Sequence, residues 1–127
     1  MKLHLKYGIP FIEIILENNN KQVILKNVLV DTGSASTIIS TEIALQLDLE
    51  ANLTDALQRV RGVGGYEFVY EKVIDIIKIG NSHIEGLRIQ VGAMDYGFEI
   101  NAILGMDFLS QGKLTIDCGK LELHSGE

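Results

Sequence analysis

Apolar residues fall in short runs along this 127-residue chain. Residues 10–17 (PFIEIILE) and 21–30 (KQVILKNVLV) are rich in Ile, Val and Leu, as strands are. Asn18, Asn19 and Asn20 lie between them and mark a hairpin turn. Residues 66–79 (YEFVYEKVIDIIKI) mix alternation with apolar pairs and are again strand-like. Gly80-Asn81-Ser82 predicts a turn, followed by a strand over HIEGLRIQV. LTID and KLELH are closing strands around Cys118-Gly119. Two stretches break the β texture. Ser40 is placed to cap a short helix through TEIALQLDL, with Ile43, Leu45 and Leu47 as its apolar contacts. MDFLSQG predicts a second short helix. The pattern describes a mostly antiparallel β domain with one or two short helices, a single domain over residues 1–127.

Composition narrows the function. Apolar residues make up 46% and charged residues 22%, an ordinary globular mix. A net charge of −6 without a Lys/Arg cluster argues against nucleic acid as a partner, since phosphate binding needs a basic face. The single cysteine, Cys118, excludes an internal disulfide and is expected to be a buried small residue. His4, His83 and His124 are far apart in sequence, so surface or packing roles are expected and no metal site is predicted. No segment approaches the ~20 apolar residues that span a bilayer. The N-terminus lacks a signal-peptide pattern, so a cytoplasmic location and no membrane insertion are expected.

One stretch, VLVDTGSASTII at residues 28–39, does not fit a plain scaffold. A carboxylate at the end of an apolar run is costly unless it is solvated, paired or used. Two Gly-bearing loops accompany it: RGVGGY at 61–66 and AILGMDFL at 102–109. Singly, the first is a hairpin tip and the second a strand ending in a turn before a helix. RGVGGY has neither the glycine spacing nor the Lys-Ser/Thr of a phosphate loop.

In order along the chain, Asp31-Thr32-Gly33-Ser34, the glycine hairpin and Ile103-Leu104-Gly105 resemble the retropepsin-like aspartic proteases. The resemblance spans roughly residues 10 to 124 and is nearest the cellular and bacterial branch. It implies a retropepsin-type β-barrel, closed or partly open and antiparallel. It implies an endopeptidase acting on extended or unfolded polypeptides, with Asp31 catalytic and no metal or cofactor. The chain has one Asp-Thr-Gly, so the carboxylate pair implies a homodimer with Asp31 from each subunit on the two-fold axis. Thr32 would bond across to the partner loop, and Gly33 would turn an N–H toward the carboxylate. The Ser34 hydroxyl would reach the outer carboxylate oxygen. Gly62, Val63, Gly64, Gly65 and Tyr66 would form a flap over the peptide. Ile103, Leu104 and Gly105 would pack behind the Asp31 loop. Retroviral members place terminal strands in the dimer interface, which points to residues 2–6 and 120–124 here. They also pair an Arg with an Asp where this chain has Met106 and Ala35. Asp107 is expected to cap the following helix; Asp95 and Asp117 are expected in turns or on the surface. The alternative reading is a catalytically weak or inactive peptide-binding or dimerisation module on the same fold. An unrelated barrel whose DTGS is only a turn is the third.

Overall fold

A computed structural model of the chain describes residues 1–62, 65–94 and 99–125, with the side chains of 58–62 and 65–68 outside that description. Strand makes up 55% of the chain, with two short helices. In order these are β1 (His4–Lys6), β2 (Ile9–Asn18), β3 (Lys21–Val30), β4 (Ile38–Ser40), α1 (Thr41–Gln46), β5 (Gln58–Gly62), β6 (Gly65–Ile79), β7 (Ser82–Gly92), β8 (Ala102–Leu104), α2 (Met106–Gln111), β9 (Leu114–Asp117) and β10 (Glu122–Ser125).

Local chemistry explains the turns. Asn18 pairs with Lys21, which leaves Asn19 and Asn20 as a two-residue loop. Both have positive φ, at 52° and 62°. That is the type I′ geometry whose twist suits a hairpin, and Asn tolerates it better than most residues. Ser40 caps α1, its hydroxyl accepting from the Ile43 N–H at 3.2 Å. The helix ends at Gln46, short of the predicted Leu49. Of the three predicted contacts Leu47 is buried and Ile43 packs on the core, but Leu45 is 65% exposed.

Six strands close a barrel in the order β2–β3–β8–β4–β7–β6, with β6 returning to β2 through Ile15↔Lys78, Leu16↔Ile77 and Glu17↔Ile76. The expected antiparallel barrel is in fact mixed. β3 runs parallel to β8, and β4 runs parallel to β7. The cause is connectivity: β8, late in the chain, inserts between β3 and β4 rather than at an edge. Alternation alone cannot reveal this, because side chains repeat every two residues in either orientation.

The barrel interior is dry and aliphatic: Ile14, Leu16, Val28, Ile39, Ile74, Ile77, Ile89 and Leu104 are all buried. A register shift between Ile12 and Ile14 coincides with a left-handed Asn27 (φ 59°) on the facing strand, as in a β-bulge. Phe11 leaves the main core there and joins a second apolar cluster. Cys118 lies in the β9–β10 turn and is exposed, not buried as expected. The three histidines are exposed as well. Asp117 accepts from the Lys120 N–H at 2.9 Å, a turn role as expected. Asp95 lies outside the described residues. Among the described residues no helix is long and apolar enough to cross a membrane.

One ion pair ties the segment after α1 to the barrel. Lys72 Nζ meets Asp55 Oδ2 at 2.7 Å, and Asp55 also accepts from the Asn52 N–H. The Lys72 hydrogen bond, helped by the Asn52 N–H, holds the Asp55 carboxyl below the usual carboxylate range. A depressed folded-state value means the pair stabilises fully above the unfolded value near ~4 and is lost as pH falls through the folded one. We therefore expect Asp55→Asn to lower stability at neutral pH and to flatten the acid limb of a urea-denaturation pH profile below about pH 4. An unchanged acid limb would assign that limb to other carboxylates.

Candidate active site

The parallel pairing of β3 and β8 determines the geometry here. Val28, Leu29 and Val30 face Ala102, Ile103 and Leu104, so both strands finish at the same place. The pairing continues one step further, with the Asp31 N–H donating to the Leu104 carbonyl at 3.0 Å. The chain on one side then becomes the Asp-Thr-Gly-Ser loop, and on the other Gly105 and α2.

The Asp31 carboxylate is held locally. The Gly33 N–H donates to its Oδ1 at 2.9 Å, and the Ser34 N–H donates to the Asp31 carbonyl at 3.2 Å. Asp31 is half-exposed, while Thr32 and Gly33 are exposed. A carboxylate in that position keeps water on one side and an N–H on the other, so its burial cost is modest. The Ser34 hydroxyl differs from expectation. It donates to the Ser36 carbonyl at 2.8 Å, which uses its single proton, and does not reach the carboxylate.

Behind this loop, residues 105–107 cross residues 34–37 at close range. The Met106 N–H donates to Ser34 O (2.8 Å) and the Asp107 N–H to Ala35 O (3.2 Å). Gly105 is required by space rather than by φ. A Cβ there would stand 2.5 Å from Ser36 O and 2.8 Å from Ser34 O, both main-chain atoms that cannot rotate away. The expected packing role of Gly105 therefore has a direct cause.

Gly105 caps α2 without a side-chain hydrogen bond, so Asp107, in the first turn, is not the expected cap. The Asp107 Oδ1 accepts from the Phe108 N–H (2.7 Å) and from the Thr37 hydroxyl (2.7 Å), and its Oδ2 accepts from the Thr37 N–H (2.9 Å). Thr37 is fully buried, and its hydroxyl oxygen in turn accepts from the Gly105 N–H at 3.2 Å. One carboxylate and one hydroxyl thus stitch α2 to both ends of the loop crossing. Pattern reading assigns Asp107 a local role only, because its Thr37 partner is 70 residues away.

Ile103 and Leu104 divide their labour. Alternation sends Leu104 into the main core and Ile103 to the other face. There Phe11 pairs with Leu29, Leu29 with Ile103, and Ile103 with Ile38, a continuous apolar row across β2, β3, β8 and β4. Ile100, Ile9 and Met94 pack around it. Leu29 lies two residues before Asp31, so the row runs up to the start of the Asp31 loop. The row was invisible to pattern reading because its members come from four separate strands.

The expected flap falls on the β5–β6 hairpin at the sheet edge. Gly62 pairs with Gly65, and Tyr66 with Arg61. Val63 and Gly64 lie outside the described residues.

Thr37→Val keeps the shape but removes the hydroxyl from Gly105 and Asp107, leaving buried polar groups unpaired. We expect a loss of about 2 kcal/mol. Gly105→Ala should cost about 2 kcal/mol or more, through displaced backbone. Both are read as a lower urea midpoint at unchanged slope. A neutral Gly105→Ala would show that the close crossing is not required.

Comparison with known proteins places this arrangement. A family profile described as "gag-polyprotein putative aspartyl protease" matches residues 16–111, more than half of the chain. A solved structure of a retropepsin-like aspartic protease from Rickettsia conorii is similar in fold, with a TM-score of 0.66 at 22% identity. The alignment covers 95% of this chain and 93% of that one. No curated protein sequence matches this chain. The profile match over most of the chain shows the family: the chain belongs to the retropepsin-like aspartic protease family.

Proposed function

We propose that the protein is an aspartic endopeptidase that assembles its active site from two copies of Asp31. The observation that carries the reading is the placement of this carboxylate. It sits half-exposed at the shared end of two parallel strands, held by the Gly33 N–H. A family-wide barrel alone would not require a carboxylate there.

Water attacks amides poorly, so the reaction needs a base for water and an acid for the leaving nitrogen. Two carboxylates brought together cannot both ionise; they share one proton, as known aspartic-protease dyads do. The ionised Asp31 would take a proton from water, whose oxygen bonds to the scissile carbonyl carbon. The protonated Asp31 of the other copy would hydrogen-bond the carbonyl oxygen as negative charge develops on it. Collapse of the tetrahedral species would break the C–N bond and deliver a proton to the nitrogen. Exposed Thr32 is free to bond across to the other loop, and the β5–β6 hairpin would close over an extended peptide. In the row Phe11, Leu29, Ile103, Ile38, the partly buried members Leu29 and Ile38 would meet apolar side chains of such a peptide.

Cleavage of an unfolded polypeptide or peptide library at mildly acidic pH tests this. Asp31→Asn should lower cleavage by about 10²-fold or more while leaving the dimer and its melting temperature in place. Equal cleavage by the variant would sink the mechanism. Wild-type chains that bind the peptides without cleaving them would leave a peptide-binding module on the same fold. Mixing wild type with Asp31→Asn chains under exchange should make activity follow the square of the wild-type fraction; a linear dependence would rule out a shared site.

A further inference from the structure

Residues 1–3 and 121–123 meet within one molecule. The Leu3 N–H donates to Leu121 O at 2.8 Å, and the Leu123 N–H to Met1 O at 2.7 Å, flanking an antiparallel bridge between Lys2 and Glu122. On its other side β10 pairs with β9 over four residues, from Glu122↔Asp117 to Ser125↔Leu114. Residues 1–3, β10 and β9 therefore form a three-ply ribbon from a single chain. Leu3 and Leu123 are both buried in the main core. Beyond Leu3 the chain enters β1, whose three residues pair with Ile9, Pro10 and Phe11 of β2. The segments expected to build a subunit interface, 2–6 and 120–124, are already partnered in their own chain.

Resting on the shared-site reading above, we propose that each copy closes its termini on itself and that the second copy docks onto a finished barrel without exchanging terminal strands. The docking face is the loop side, where Thr32, Gly33 and Ala35 are exposed and Met106 is 40% exposed. Handing either end to a partner would first strip Leu3 or Leu123 from the core and break the ribbon's hydrogen bonds. Those groups gain nothing by exchange, since the same bonds would re-form in trans. Where terminal strands are interleaved, folding and association become one event and a stable folded monomer is not expected. Here folding precedes association. Activity then follows the monomer–dimer equilibrium, and the local concentration of folded copies acts as the switch.

A cross-link decides between closure and exchange. The bonds on either side of Lys2↔Glu122 make it a non-hydrogen-bonded antiparallel pair, with Cα atoms about 4.5 Å apart. That lies within disulfide reach. Lys2→Cys with Glu122→Cys, in a Cys118→Ser background, is oxidised at a concentration where light scattering shows the dimer, and run under denaturing, non-reducing conditions. A band of monomer mass supports closure; a covalent dimer overturns it. The native chain supplies the second measurement, by dilution with light scattering and far-UV circular dichroism. An unchanged β spectrum at monomer mass supports the proposal, and loss of the spectrum together with dissociation overturns it. Neither readout involves cleavage. A chain folded and monomeric at every concentration would overturn the docking proposed here together with the shared-site reading, whereas a covalent dimer overturns closure alone.

Discussion

The structure depends on one close crossing, where Gly105 passes the Ser34–Ser36 backbone with no room for a Cβ. That contact is possible only because β8 lies parallel to β3 and ends beside it. Parallel pairing carries both C-terminal ends to one place, and antiparallel pairing would have sent them apart. The hydrogen bonds from Met106 to Ser34, from Asp107 to Ala35 and from Thr37 to Asp107 follow from it. The crossing is held by these neutral and charge-assisted bonds without an ion pair at Met106 and Ala35. A carboxylate with three short N–H and O–H donors needs no counter-ion to be satisfied.

How legible this was in the sequence depends on how local each interaction is. The Asn19-Asn20 turn and the Ser40 cap were readable because donor, acceptor and backbone geometry all lie within a few residues. The strands were readable from their apolar runs. The Asp31 loop and the late Ile-Leu-Gly stood out as motifs. Strand partners were not readable, so neither the parallel β3–β8 pairing nor the Asp107–Thr37 tie could be foreseen. Ile103 and Leu104 looked like one apolar pair, yet alternation divides them between two clusters. Cys118 was expected inside because small thiols usually are, but a turn beside Gly119 leaves it outside.

The two apolar clusters meet different demands. The main core is buried by the chain's own strands and needs no partner. Both clusters have partly buried side chains at their margins, and in the second these are Leu29, Ile38, Ile9 and Met94. Under the proposed reading, apolar side chains of an extended peptide would finish burying Leu29 and Ile38.

That contrast bears on how fold and chemistry are divided between copies. Among the described residues, the hydrogen bonds of the barrel and of residues 1–3 with β10 lie within one chain. Asp31 has the Gly33 N–H on one side and is half-exposed on the other. Under the proposed reading, one chain supplies a complete scaffold and half of an acid–base pair. A second copy then adds reactivity more than stability. The interface can remain small, because it need only hold two already rigid loops in register. Rigidity comes from the glycine crossing and the Thr37–Asp107 tie, which exist before any partner arrives.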